Sequence, residues 1–115
     1  MSTSLEIIER QFEAYNASDL EKFISNFSES YHAYRMPTLE PYIVGKAQLT
    51  EFYATKRFND GGMKLQAELI SRTVMGNKVV DCERISGISD SPVDMIVIYE
   101  IRDGLIASSW AFSAV

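Results

Sequence analysis

The stretch Tyr99-Glu100-Ile101-Arg102-Asp103-Gly104-Leu105-Ile106 decides the fold. Its centre, Asp103-Gly104, is a two-residue turn in which both positions accept positive φ. That geometry matches the twist of antiparallel strands and marks a hairpin. The flanks, 93–102 and 105–113, carry the β-branched and aromatic residues that strands favour. Working backward, Ser89-Asp90-Ser91-Pro92 and Met75-Gly76-Asn77 are turns that set off two further strands, at 78–88 and 65–74. Four consecutive strands on short turns make an antiparallel meander. Asn59-Asp60-Gly61-Gly62 breaks the chain ahead of it.

The first half has a different periodicity. Thr3-Ser4-Leu5-Glu6 forms a capping box, a hydroxyl followed three residues on by a carboxylate. Leu5, Ile8, Phe12 and Tyr15 then recur at spacings of three and four, which predicts a helix ending near Asn16. Ser18-Asp19-Leu20-Glu21 repeats the capping pattern and opens a short second helix. Its apolar face is Leu20, Phe23, Ile24 and Phe27, and residues 28–30 end it. Tyr31-His32-Ala33-Tyr34-Arg35-Met36 reads as a short edge strand stopped by Pro37. A loop over 37–44 leads to Gly45 and a third amphipathic helix over 46–58. Leu49, Phe52, Tyr53 and the stem of Lys56 share one side of it. Helices segregated to one side of an antiparallel sheet define an α+β fold.

The 115 residues suffice for one domain, 1–115. A net charge of −5 with no basic cluster opposes a phosphate backbone, so no nucleic-acid partner is expected. The longest apolar run, Met95-Ile96-Val97-Ile98-Tyr99, falls far short of the ~20 residues a membrane helix needs. The start, Met1-Ser2-Thr3-Ser4, lacks the basic and apolar regions of a signal peptide. Cys82 is the only cysteine, so no internal disulfide forms. These features together set the expectation of a cytoplasmic protein. One Cys and one His, His32, cannot supply a four-ligand zinc site, and no loop has calcium-binding spacing. No metal or other cofactor is expected.

Three cues in order carry a resemblance. They are Tyr15-Asn16-Ala17-Ser18-Asp19-Leu20 followed by Phe27, then Gly45-Lys46 with Glu51-Phe52-Tyr53, then the 99–106 hairpin. With this element order the chain resembles the nuclear-transport-factor-2-like (SnoaL-like) superfamily over nearly its whole length. The resemblance implies a strongly curved antiparallel sheet, cone-shaped and wrapped around three N-terminal helices. It does not fix a reaction, because one fold hosts many functions. Ketosteroid isomerases of this superfamily use a tyrosine, a protonated aspartic acid and an aspartate base. Aligned on the 16–20 cue, Gln11, Arg35 and Val97 stand at those three positions, so that chemistry is disfavoured. A slip of a residue or two in the last placement would bring in Asp94 or Glu100.

The family register implies that Val80, Cys82, Arg84 and Ser86 face the cone, with Met95, Val97, Tyr99, Ile101, Ser109, Ala111 and Ser113. Asp81, Glu83 and Ile85 take the outer face with Ile106, Trp110 and Phe112. The expected ligand-binding residues are Tyr15, Arg35, Tyr53, Arg84, Met95, Val97 and Tyr99; no catalytic residue is assigned. An arginine in an apolar cone requires an anion, either a ligand or a protein carboxylate such as Glu40, Asp94 or Glu83. Tyr15, Tyr34, Tyr53 and Tyr99 are either pocket donors or satisfied core tyrosines. His32 points away from the cone. Cys82, with no base in register, reads as an inert thiol. Ile106, Trp110 and Phe112 form an outer apolar stripe, through which the family commonly dimerises; a homodimer is expected there.

Two functional classes follow. The first is a small-molecule-binding domain acting by acid–base chemistry on a small apolar carbonyl or acid substrate, as an isomerase, cyclase or hydrolase. The second is a non-catalytic dimeric interaction module whose cone is filled by its own side chains.

Overall fold

The computed structural model describes residues 2–58 and 65–114. Three helices, α1 (Ser4–Asn16), α2 (Leu20–Ile24) and α3 (Lys46–Lys56), lie against one six-stranded sheet. The strands are β1 (Phe27–Arg35), β2 (Ile43–Val44), β3 (Gln66–Met75), β4 (Lys78–Ser86), β5 (Val93–Arg102) and β6 (Leu105–Ser113). Their spatial order is β2-β1-β6-β5-β4-β3. The last four strands are the expected meander, and the whole is the α+β cone that the sequence predicts. The Asn59-Asp60-Gly61-Gly62 break lies outside the described residues.

Local chemistry accounts for the elements. The Thr3 hydroxyl accepts from the Glu6 N–H at 3.1 Å, and the Glu6 carboxylate accepts from the Thr3 N–H at 2.9 Å. This reciprocal cap satisfies two of the donors that α1 would otherwise leave unpaired. The second cap is Asp19, which accepts from the Lys22 N–H at 3.1 Å. Ser18 is not a cap; it turns the chain with a φ of 54°. At the final hairpin both Asp103 and Gly104 have positive φ, 53° and 77°. The turn residues required by the sheet twist are the ones present.

β1 departs from expectation. It begins at Phe27, so residues 28–30 lie in a strand and Phe27 belongs to the sheet rather than to α2. Nor is β1 an edge. It pairs in parallel with β6 on one side and with the two-residue β2 on the other. The long 37–44 connection supplies β2, which a loop with two prolines conceals in the sequence.

The core joins the helices to the concave sheet face. Ile7 and Ile8 of α1, Phe23 of α2 and Leu49 of α3 meet Val79, Ile101 and Ile106. Ile106 corrects the outer stripe, because it is fully buried. The β5–β6 register explains the inversion. Glu100 pairs with Ser108, but Ile101 pairs with Ile106, leaving Ala107 as an extra residue. A bulge of this kind reverses the facing of everything beyond it. Ile106 thus turns inward with Ile101, while Ser109 and Ala111 stay inward opposite Tyr99 and Val97. Truncation to Ile106→Ala is expected to cost about 2–5 kcal/mol, as core deletions do. Urea denaturation measures it, and a loss below about 1 kcal/mol would return Ile106 to the outer face.

Candidate functional site

The site begins at the tight β3–β4 turn. With Met75 opposite Lys78, successive pairing places Arg72 directly across from Asp81. The two side chains form a bidentate ion pair, Nε to Oδ1 at 2.7 Å and Nη2 to Oδ2 at 2.9 Å. Asp81 is fully buried, and Arg72 nearly so. A carboxylate removed from water needs such a fork, because an unpaired buried charge is strongly unfavourable.

Two residues further along β4, on the same face, stands Glu83. Cross-strand partners share a face, and Asp81 and Glu83 pair with Val97 and Met95 of β5, which face the cone. Glu83 is 6% exposed. Among the described residues no N–H or O–H group donates to it. Burial is the main cause that raises its pKa, to about 8, and the neighbouring Asp81 charge and a hydrogen bond shared with Asp81 add to this. Arg72 opposes the shift. Because Arg72 engages both Asp81 oxygens, the proton of this acid pair resides on Glu83 at neutral pH.

Glu83 lines a cavity of about 110 Å³ between the helices and the concave sheet face. Tyr15, Tyr53 and Tyr99 surround it, and their hydroxyls have no hydrogen-bond partner among the described residues. Burial keeps all three phenols protonated: Tyr15 is pushed up to about 12, and Tyr53 and Tyr99 well above their usual value. Tyr31 also reaches the cavity but is engaged with Ser109, oxygen to oxygen at 2.5 Å. From α1 comes Gln11, 6% exposed, whose Oε1 is buried without a partner. At the mouth, the Arg35 guanidinium lies 4.1 Å from the Tyr42 ring centroid, and that of Arg57 4.9 Å from Phe52.

Six of the seven expected ligand residues therefore converge: Tyr15, Arg35, Tyr53, Met95, Val97 and Tyr99 all line the cavity. Arg84 does not. It is exposed on the opposite face of β4 and forks onto Asp94 at 2.8 and 3.1 Å. The expected facing of β4 is reversed throughout: Asp81, Glu83 and Ile85 point inward, while Val80, Cys82, Arg84 and Ser86 point outward. The alternation of buried Val79, Asp81, Glu83 and Ile85 with more exposed neighbours records this. Tyr34 is also outside, stacked on Trp110 at 5.9 Å. Asp94 pairs with Arg84, and Glu100 with Lys78 and Arg102, so neither enters the cone. Replacement of Arg84 by Ala is expected to leave ligand affinity within about twofold and stability little changed, as for most surface sites. A larger loss in calorimetric titration would restore Arg84 to the site.

Asp81 and Glu83 are what the sequence reading missed. The signal was available in the pairing arithmetic of the Gly76-Asn77 turn, which sets Arg72 opposite Asp81 and so offers that carboxylate a buried partner. Gln11 was noted only as the residue occupying a tyrosine's place. Among the described residues, no group of three or more His, Cys, Asp or Glu is arranged to hold a metal ion. No helix among them is long and apolar enough to cross a membrane.

A helix-packed cone of this strand order is the fold of the nuclear-transport-factor-2-like class. The sequence profile of the SnoaL-like domain matches residues 8–109, and the chain belongs to that family. No curated protein matches it in sequence. Among solved structures it is similar to a proposed ketosteroid isomerase from Kribbella flavida, at TM-score 0.81 and 18% identity, covering 97% of this chain and 78% of that one. It is similar to an epoxide hydrolase of LEH-like type from M. tuberculosis, at TM-score 0.81 and 12% identity, covering 96% and 81%. It is likewise similar to a proposed polyketide cyclase from Sinorhizobium meliloti, at TM-score 0.75 and 22% identity, covering 96% and 99%. At these identities the likeness establishes the fold alone.

Proposed function

We propose that the cavity binds a small, mainly apolar molecule and acts on it by acid–base chemistry, with Glu83 as the catalytic acid. The observation that carries this reading is Glu83 itself. It is buried at a cavity wall, and its only polar partner among the described residues is another carboxylate. A chain that needed only a filled core would not place two acids there, because burying them is unfavourable and apolar residues would pack at no such cost. An acid whose pKa is perturbed by burial and a charged neighbour, and which lines a cleft, is a candidate for a working site.

The chemistry follows from the arrangement. A neutral Glu83 donates its proton to a carbonyl or ether oxygen as negative charge develops there. Left as a carboxylate beside Asp81, it is then a strong enough base to recover a proton from an adjoining carbon or from water. Asp81 and Arg72 act as positioning residues: they keep the proton on Glu83 and fix its orientation. Tyr15, Tyr53 and Tyr99 offer hydroxyls to the same oxygen. This sequence suits an isomerase, a cyclase or a hydrolase, the activities named for the three similar structures. One placed acid–base group contributes typically ~10²–10⁴ in rate.

The test is a panel of small carbonyl compounds and epoxides, followed for turnover by the native protein and by Glu83→Gln. Glu83→Gln is expected to lower turnover by at least about 10²-fold while affinity stays within about tenfold. Undiminished turnover by Glu83→Gln would remove Glu83 from the chemistry.

The second reading, a non-catalytic dimer with a filled cone, draws on two observations. The cavity is smaller than the roughly 300–1,000 Å³ of drug-sized ligand sites. The outer sheet face also exposes apolar residues, with Ile96 at 42% and Phe112 at 40% beside the Trp110 ring. The homodimer proposed here uses Trp110 and Phe112 with Ile96, in place of Ile106. Sedimentation of a monomer at micromolar concentration would dismiss it.

A further inference from the structure

Of the arginines away from the cavity, Arg10 bonds Asn26 and Ser2, and the other three meet carboxylates. Arg72 pairs with Asp81, Arg84 with Asp94 and Arg102 with Glu100. The two arginines at the cavity mouth do not: among the described residues Arg35 and Arg57 have no ion pair. Both are held by aromatic rings instead, and both guanidinium carbons lie within 6.0 Å of the Phe52 ring centroid. Such contacts fix a guanidinium over an apolar wall. The Arg35 guanidinium has no hydrogen bond among the described residues, and Arg57 gives only one Nη1 donor to the Lys56 carbonyl at 3.2 Å, so each keeps N–H donors for a planar anion. Two guanidinium groups without a carboxylate among the described residues thus line one cavity of a chain whose net charge is −5.

The inner wall is the opposite. It carries the Glu83 carboxyl, with Asp81 behind it, and the unpartnered, nine-tenths-buried Oε1 of Gln11. An anionic group pushed to that end would face the acceptor oxygen of Gln11 and, behind Glu83, the Asp81 carboxylate. A hydroxyl or carbonyl is matched there: the hydroxyl donates to Gln11, and the carbonyl accepts from Glu83. Between the two ends the lining is aromatic and aliphatic, from Phe12, Tyr53, Met95 and Val97. A cavity of about 110 Å³ accommodates a molecule of benzene-like bulk, on the order of six to eight non-hydrogen atoms.

From this polarity we infer that the ligand is a short oxo- or hydroxy-carboxylic acid, its carboxylate held at the mouth by Arg35 and Arg57 and its oxygen directed inward to Gln11 and Glu83. The inference rests on the reading of the cavity as a ligand site and adds the substrate class and its orientation. It also assigns Arg57, which the sequence reading passed over, to specificity.

The experiment is calorimetric titration at pH 7 with a matched series: 4-oxopentanoate, its primary amide and its methyl ester, whose added methyl lies outside the mouth. The native protein is expected to bind the carboxylate at least about tenfold more tightly than either neutral analogue, the ratio that one charge-assisted contact gives. The Arg35→Ala/Arg57→Ala double variant should bind all three alike, and Arg84→Ala, a control on the outer face, should keep the preference. Melting curves establish that the variants are folded. Equal binding of acid, amide and ester by the native protein would overturn the inference and leave the cavity reading standing. A preference that survives in the double variant would also overturn it. Absence of binding by all three, together with an inert carbonyl and epoxide panel, would sink the cavity reading and this inference with it.

Discussion

Replacing Glu83 by Gln is expected to make the protein more stable at alkaline pH, even as it removes the acid from the cavity. The sign follows from proton linkage. Glu83 in the folded protein titrates near 8, whereas in the unfolded chain it titrates near the ordinary value of about 4.5. Between those values the folded state holds a proton that the unfolded state has released, so stability declines as pH rises. The full contribution is present below about pH 4.5 and is lost once pH passes 8. Gln cannot ionise and keeps the amide's hydrogen-bonding capacity beside Asp81, so its stability curve lacks this decline. At about 1.4 kcal/mol per pH unit between about 4.5 and about 8, the gain at pH 9 is of order 5 kcal/mol. That corresponds to a rise of about 20 °C in melting temperature for a domain of this size. Melting curves of both proteins from pH 4 to 9 check it. They should nearly coincide at the acid end and diverge above neutrality; curves that run parallel throughout would contradict the burial of an unpaired acid.

The second large effect is expected at Arg72. Substitution by Ala leaves Asp81 buried with no counter-charge, and breaking a buried pair on one side costs about 3–5 kcal/mol. That is a large part of the roughly 5–15 kcal/mol that stabilises a domain. Replacing both partners, Arg72→Met with Asp81→Leu, should recover most of the loss, because the desolvation of two ions disappears with their attraction. The double variant should also lower the Glu83 pKa relative to the native protein, because the charge and hydrogen bond of Asp81 that are lost outweigh the opposing charge of Arg72. Urea denaturation of the single and double variants makes the comparison. A single variant within about 1 kcal/mol of native would mean that Asp81 reaches water or another donor.

The meander and helix α1 were legible because their signals are local. Asp103-Gly104 needs only its own two φ angles, and the Thr3–Glu6 box needs four residues. β1 was legible only in part. Its parallel pairing with β6 joins residues some 80 positions apart, and Ser28-Glu29-Ser30 gives no strand signal of its own. On β5 the alternation of Met95, Val97, Tyr99 and Ile101 identified the cavity face correctly. On β4 the family register chose the wrong face, and hydrophobicity gave no reason to correct it. Hydrophobicity favours Val80 and Cys82 inside over Asp81 and Glu83, and that preference yields only where a cross-strand arginine and a shared proton make burial of two acids possible. Arg35 and Arg84 were indistinguishable in the sequence as candidate anion binders. What separates them is Asp94, directly opposite Arg84 on β5, a partner Arg35 lacks among the described residues.

The most direct measurement is the titration of Glu83 in the intact protein by the side-chain carboxyl carbon resonance, assigned with Glu83→Gln. The account predicts a midpoint near 8, with the carboxyl neutral at pH 7 and able to donate into the cavity. A midpoint between 4 and 5, the ordinary range for a glutamate, would mean an ionised, solvated side chain, and both the acid chemistry and the orientation of the ligand built upon it would fall.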